Sequence, residues 1–324
     1  ETDCVVGLGS NGNIVEIVRQ TLEEQVPPAY PDPDKLLLPL EGQRMLMTPH
    51  YWAYLKISEG CSNHCAFCAI PAIRGKFRSR SMESILQEAK DLAASGVKEL
   101  ILIGQDTGFY GKDLYGSLKL AALLKELCKV DGIHWIRFLY TYPERITDEL
   151  LDVMAAEEKI CHYLDIPLQH VDGKILRSMH RPENRETYLH LIEHIREKVP
   201  DICIRTTLMT GFPGETEAQF ATLAEFVKEA EFDNLGCFAF SPEEGTVAAE
   251  MDGQLDDDLK KHRQELIMEQ QYPIAVSKNQ AMVGKILEVI TDGFDAEAEC
   301  YIGRSFRNVP EIDGLIYFSS AVVL

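Results

Sequence analysis

The sequence predicts an α/β chain: a partial parallel (βα)6 barrel of the TIM type, followed by a small β-barrel domain. Three observations carry this. Between Tyr54 and Phe240 six short apolar runs alternate with amphipathic stretches, the order that winds a parallel sheet. Leu100-Ile-Leu-Ile103 is continuously apolar, as strands are when both faces are buried. Past residue 271 the pattern changes to short β-like runs separated by Asp-Gly turns.

Taken in order, residues 1–48 contain Pro27, Pro28, Pro31 and Pro33 and too few periodic apolar positions to fold alone. They are expected to be the tail of an upstream domain plus a linker. Residues 54–57 form the first strand and run directly into a cluster of cysteines. Ser81 is expected to cap a helix in which Ile85, Leu86, Ala89 and Leu92 recur at helical spacing until Gly96 ends it. After the strand at 100–103 come a helix at 118–130, a strand at 135–139, a helix at 147–156 and a strand at 163–168. Helices within 172–199, a strand at 202–209, a helix at 217–230 and a strand at 235–240 complete the barrel. A helical stretch at 255–271 precedes β runs at 286–290, 298–302 and 315–318, with turns at Asp292-Gly293 and Asp313-Gly314. The expected limits are therefore 49–272 for the barrel and 273–324 for an incomplete β domain.

At 324 residues, with 45% hydrophobic and 26% charged residues, the chain can bury a large core. No apolar run approaches the roughly eighteen residues of a membrane span. No signal-peptide pattern opens the chain, and its nine cysteines follow no regular disulfide framework, so reduced thiols and a cytoplasmic location are expected. A formal charge of -20 argues against nucleic acid as a direct substrate, because such affinity comes from cations that neutralise phosphates. It suits a basic protein partner, or serves solubility alone.

Cys61-Ser-Asn-His-Cys65-Ala-Phe-Cys68 is the most informative segment. Three thiolates hold three corners of a cubane iron-sulfur cluster and leave the fourth iron open to a substrate or cosubstrate. The rival is a structural zinc site, which would need a fourth ligand; no second Cys-x2-Cys arm is visible, and His64 lies inside the loop. Since the loop follows the first strand, it is expected at the C-terminal rim, where such barrels carry their chemistry. Other strands end at the same rim in Gly104-Gln105-Asp106, Pro167-Leu-Gln169-His170 and Met209-Thr-Gly211-Phe-Pro-Gly-Glu-Thr216. Gly104 would let a ligand approach the backbone, and the side chains of Gln105 and Asp106 accept bonds from an ammonium group, although the stretch reads equally as a turn. His170 either orients a substrate or bonds a neighbouring loop. Thr216 and Gln219 form a capping box for the following helix. Arg74, Lys76, Arg78 and Arg80 read as a solvated charge run, or as counter-charge to thiolates and a carboxylate site. Cys128, Cys161, Cys203 and Cys237 read as small buried apolar residues.

The Cys61-x3-Cys65-x2-Cys68 spacing, with Phe67 before the last cysteine, resembles the radical S-adenosylmethionine (SAM) enzymes. Within them, Arg74-Gly-Lys-Phe-Arg-Ser-Arg80 and Gly211-Phe-Pro-Gly-Glu-Thr216 are similar to the methylthiotransferases. Gly104-Gln-Asp-Thr107, Tyr140-Thr-Tyr-Pro143, Asp165-Ile-Pro-Leu-Gln-His170, Ser241-Pro-Glu-Glu-Gly-Thr246 and Pro310-Glu-Ile-Asp-Gly314 resemble the ribosomal branch, and tRNA-modifying relatives usually differ at these places. The resemblance implies a [4Fe-4S] cluster on Cys61, Cys65 and Cys68, with SAM chelated by the open iron. It also implies a SAM site lined by Phe67, Gly104, Gln105, Gln169 and Gly211. The implied reaction adds a methylthio group to the β-carbon of an aspartate of ribosomal protein S-12, with external electron and sulfur donors. A tRNA-modifying relative and a non-catalytic zinc-stabilised ribosome-binding module are the alternatives. The C-terminal domain resembles TRAM but is acidic in net charge, which favours a basic protein over tRNA. Family members carry an N-terminal domain with three more cysteines for a second cluster, whereas here only Cys4 precedes the barrel and is not assigned to metal. The expectation is that this stretch binds and cleaves SAM without completing methylthiolation.

Overall fold

Helix α1 (Ile14–Leu22) lies apart from the barrel sequence, and a computed structural model of the chain describes residues 4–7, 10, 13–23 and 44–324. The proline-rich loop expected at Pro27, Pro28, Pro31 and Pro33 lies outside the described residues. The alternation read from the sequence then unfolds in order. β1 (Trp52–Lys56), β2 (Ser58–Glu59), α2 (Ile70–Arg74), β3 (Arg78–Ser79), α3 (Met82–Ala94) and β4 (Glu99–Ile103) come first. They are followed by α4 (Lys112–Tyr115), α5 (Leu120–Cys128), β5 (Trp135–Phe138), α6 (Asp148–Ala156), β6 (Tyr163–Gln169), α7 (Gly173–Ser178) and α8 (Arg185–Lys198). The last elements are β7 (Cys203–Thr210), α9 (Glu217–Ala230), β8 (Asn234–Ala239), α10 (Asp257–Gln280), β9 (Ile290–Asp295), β10 (Cys300–Arg304) and β11 (Ile316–Phe318).

β1, β4 and β5 pair in parallel, as do β6, β7 and β8. A parallel bridge between Ile136 and Ile160 joins the two halves, and the Thr141 amide donates to the Asp165 carbonyl at 3.0 Å further along the seam. The result is a curved six-stranded array in sequence order, with β1 and β8 left unpaired to each other among the described residues. Alternation within each strand sends Leu55, Leu100, Leu102, Ile136, Leu164 and Ile204 outward, where they pack with Ile85, Leu123, Leu151 and other helical apolar residues in the main core. The opposite faces enclose a lumen. Its N-terminal end is filled by Trp52, Ile101, Trp135, Tyr163 and Cys203 together with Val309 and Phe306 of the C-terminal domain.

That domain, an antiparallel β11-β10-β9 sheet, is fastened to the barrel by charge as well as apolar packing. Glu99 at the start of β4 is fully buried between Arg137 (3.0 Å) and Arg304 (2.7 Å). Arg304 also meets Asp292 at 2.8 Å, and Arg137 donates to the Phe306 carbonyl at 2.6 Å. Tyr163 donates to Asp313 (2.8 Å), and Arg307 pairs with Asp233 (2.6 Å).

The expected turn at Asp292-Gly293 is instead the middle of β9. Gly293 pairs with Ile302 and Thr291 with Gly303, so Asp292 is an extra residue in a bulge. The bulge re-aims its carboxylate at Arg304, a tertiary demand that no local Asp-Gly signal reveals. The reversal falls at 296–299. The run at 286–290 is not a strand: Ile286 is fully exposed, and β9 begins at Ile290. Helix α10 continues through Pro273 to Gln280, past the boundary expected at residue 272. Ile274 packs on the main core, Gln271 donates to the Phe232 carbonyl (2.8 Å) and Lys278 meets Glu231 (3.1 Å), contacts that offset the missing proline donor.

Glu99→Gln removes the anion that two buried guanidiniums share, and it is expected to lower stability by about 3 kcal/mol or more. Urea unfolding checks this; a loss of only a few tenths would show that the pair does not fasten the two domains.

Candidate active site

The cysteine loop begins where β1 and β2 end, and its base is stapled. Ser58 and Glu59 pair antiparallel with Ser79 and Arg78, so the chain leaves and returns at one place. Gly60 sits at φ 73°, and a Cβ there would lie 2.3 Å from the Lys76 carbonyl oxygen, so only glycine lets the two limbs approach. Inside the loop the Cys61 amide donates to the Gly75 carbonyl (3.2 Å) and the Cys68 amide to the Cys65 carbonyl (3.0 Å). Ala66 anchors it to the barrel on two sides, donating to the Met179 carbonyl (3.2 Å) and accepting from the Ala248 amide (2.8 Å). Asn63 reaches Asp106 (2.8 Å) after β4. Asp106 thus holds the loop rather than facing the cavity, and burial raises its carboxyl above the usual range against the pull of Asn63 and Arg145.

Cys61, Cys65 and Cys68 open onto one cavity of ≈ 510 Å³ at the C-terminal ends of the strands. Burial pushes the Cys61 thiol up to about 11 and raises Cys68 as well. Without a metal these two are protonated at neutral pH, so metal binding must release their protons. The facing wall comes from β6, β7 and β8: Pro167, Gln169, Arg205, Thr207 and Phe238, with Tyr140, Tyr142 and Arg181 alongside. Two of these residues carry backbone strain. Tyr140 (φ 61°) and Gln169 (φ 69°) are left-handed at strand ends, a conformation that costs about 1–3 kcal/mol each in a residue with a Cβ.

Asp165 holds one of them in place. Its Oδ2 accepts from the Tyr140 amide (3.1 Å), while Oδ1 accepts from Arg205 (3.2 Å). Arg205 is also 3.7 Å from Asp313, which in turn accepts from Tyr163. A continuous polar chain therefore runs from the C-terminal domain up the lumen to the cavity. Two buried polar atoms on the cavity residues have no protein partner, Gln105 Oε1 and Arg181 Nε. A ligand can satisfy them.

Of the residues singled out from sequence, Cys61, Cys65, Phe67, Cys68, Gly104, Gln105 and Gln169 all line this cavity. Gly211 does not. It packs on Lys260 of α10, and its amide donates to Glu215 (2.7 Å), so its glycine-rich turn serves helix packing. His170 is fully buried and accepts from the Asp172 amide (3.0 Å), a loop contact. His64 is exposed, with its carbonyl 2.7 Å from His180. In the basic run, Arg80 is buried against Glu88 (2.6 Å) and Arg74 lies 3.5 Å from Glu59, so both brace the loop base. Thr216 and Gln219 form the expected capping box. Sequence reasoning about the cavity missed Arg181, Arg205, Thr207 and Phe238. The three strand residues were readable as alternate, inward positions of β7 and β8; Arg181 lies beyond α7 and carries no local signal.

Comparison with known proteins agrees with this arrangement. The family model described as the radical SAM superfamily matches residues 55–227, and that of the TRAM domain matches 283–323. The fold and the site are those of a radical SAM protein. The chain is 48% identical over 319 residues to "Ribosomal protein uS12 methylthiotransferase RimO" of Symbiobacterium thermophilum, covering 98% of this chain and 65% of that protein. It is 44% identical to the protein of that name from Clostridium tetani, covering 100% and 72% respectively, and 47% to that from a Thermoanaerobacter species, covering 99% and 72%. The chain belongs to the ribosomal protein uS12 methylthiotransferase (RimO) family. It spans about two thirds of the length of these relatives. Among solved structures, the radical SAM methyltransferase TsrM from Kitasatospora setae matches with a TM-score of 0.57 at 14% identity, over 72% of this chain and 50% of its own. Coproporphyrinogen III oxidase (HemN) from Escherichia coli matches at 0.51 and 21% identity, over 76% and 55%. These two likenesses bear on the fold alone.

Gly104 owes its identity to packing as much as to any ligand. A Cβ on it would lie 2.3 Å from Ser58 Oγ yet 3.7 Å from Ser58 Cβ. Gly104→Ala is expected to cost about 1–3 kcal/mol by overpacking, and Ser58→Ala in the same chain should remove most of that cost. Thermal unfolding of the two single variants and the double variant checks this; additive losses would contradict it.

Proposed function

We propose that this chain is the catalytic core of a radical SAM methylthiotransferase that adds a methylthio group to the β-carbon of an aspartate in ribosomal protein uS12 (S-12). The observation that carries the reading is the convergence of Cys61, Cys65 and Cys68 on one cavity at the barrel's C-terminal mouth, in a chain of this family. Among the described residues no three His, Cys, Asp or Glu side chains are set for a single metal ion. Cys61, Cys65 and Cys68 would hold a [4Fe-4S] cluster, which when bound supplies an open iron for SAM and one-electron cleavage of its sulfonium, the radical chemistry an unactivated carbon-hydrogen bond requires.

The protein's own contributions follow from its residues. Gln105 Oε1, buried and without a protein partner, would accept an N–H from the amino group of SAM. Gln169, held in its strained conformation, Phe67 and Gly104 complete that wall. Phe238 and Tyr140, both partly exposed at the lip, give the cavity an apolar rim that the substrate covers, excluding water from a reactive radical. The formal charge of -20 draws a basic protein and repels RNA. Asp292 and Asp313 are consumed by Arg304, Tyr163 and Arg205, so the recruiting field comes from the remaining acidic surface. A one-electron reductant and a sulfur donor act from outside this chain. No helix of the described residues is long and apolar enough to cross a membrane; a ribosomal substrate places the reaction in the cytoplasm.

Full-length enzyme with SAM, sulfide and a reductant, offered uS12 and tRNA together, is expected to leave one uS12 aspartate methylthiolated and the tRNA unchanged. Mass spectrometry of both products checks this. Modified tRNA beside untouched uS12 would transfer the chain to the tRNA branch.

A further inference from the structure

Four of the five buried arginines among the described residues are paired with acids: Arg80 with Glu88, Arg137 with Glu99, Arg263 with Glu215 and Arg304 with Asp292. Arg181 is different. It is 3% exposed, has no carboxylate within ion-pair distance among the described residues, and lines the cavity of the three cysteines. Its Nη1 donates to the Pro167 carbonyl (2.9 Å), its Nε is buried without a partner, and its guanidinium stacks 4.2 Å over the Tyr142 ring. A buried guanidinium without a counter-charge is costly. Glu183 acts on it only from beyond ion-pair distance, and an anion bound in the cavity that Arg181 lines would compensate it directly. Tyr142 shows where: its hydroxyl lies 2.5 Å from Cys65 Sγ. Once Cys65 is a thiolate only the phenol has a proton to give.

We infer that Tyr142 and Arg181 tune the cluster: the Tyr142 hydroxyl donates to the Cys65 thiolate, and Arg181, stacked on the tyrosine ring, supplies the balancing positive charge. Hydrogen bonds to ligand sulfur and nearby charge both set the potential of such a cluster. One electron from an external reductant adds one negative charge, and no bond to protein is made or broken. The donated hydrogen bond and the guanidinium stabilise the added charge, so the pair raises the reduction potential. Arg181 and Tyr142 are positioning residues here, acting through Cys65. The assignment rests on the cluster reading and not on the protein substrate, so a failure with uS12 leaves it standing.

The test is a redox titration of the anaerobically reconstituted chain, followed by electron paramagnetic resonance in the absence of SAM. Tyr142→Phe and Arg181→Gln are each expected to load iron and sulfide as the unaltered chain does, and to lower the potential. Arg181→Lys, which keeps the charge, should recover most of the loss. Unchanged potentials in both variants overturn the inference, as does a shift confined to Arg181→Gln or a Tyr142→Phe chain that takes up no cluster. An effect of Arg181→Gln on SAM affinity alone would make SAM its anion and also overturn it. Should Arg181→Gln fail to fold, the Tyr142→Phe potential decides.

Discussion

Three thiols on an eight-residue loop must face one cavity, and the rest of this structure is arranged around that constraint. A free loop of this length would scatter them. Here the β2-β3 pairing closes the base, Gly60 admits the close crossing at Lys76, and Ala66 is bonded on both its amide and its carbonyl to distant segments. Each contact uses backbone, so the side chains between are left for chemistry. The ordering entropy of the loop is met by the scaffold before any ligand arrives.

The two ends of the barrel are finished in opposite ways. At the N-terminal end the C-terminal domain fills the lumen with Val309 and Phe306 and satisfies Glu99, Arg137 and Tyr163. At the C-terminal end polar groups are left without partners, and two wall residues are held in strained conformations. A fold that satisfies one end and leaves the other open has stored its unsatisfied bonds for a ligand. The two ends communicate through Asp313, Arg205 and Asp165, so the C-terminal domain bears on the cavity floor as well as on the surface.

Most of the barrel was legible because buried parallel strands write continuous apolar runs and helices write caps. Ser81 and Thr216 accept the expected cap bonds, and α9 occupies the limits read for it. The three cysteines were legible because their spacing is local. What stayed hidden depends on tertiary demand. Asp292 is bulged to reach Arg304, 12 residues on, and α10 outlasts its own proline because Gln271 and Ile274 are held by the barrel. Arg181 acquires its meaning only from Tyr142, whose strand ends far away in sequence. Gly211 looked like Gly104 in sequence, yet one faces α10 and the other the cavity, a distinction that rim position alone does not encode.

The most direct measurement is spectroscopy of the oxygen-free, reconstituted chain with and without SAM carrying a labelled amino nitrogen and carboxylate. The account predicts about four irons and four sulfides per chain, and a reduced-cluster signal that changes on adding SAM and couples to both labels. A cluster whose signal ignores SAM, or a colourless protein holding zinc alone, would contradict it.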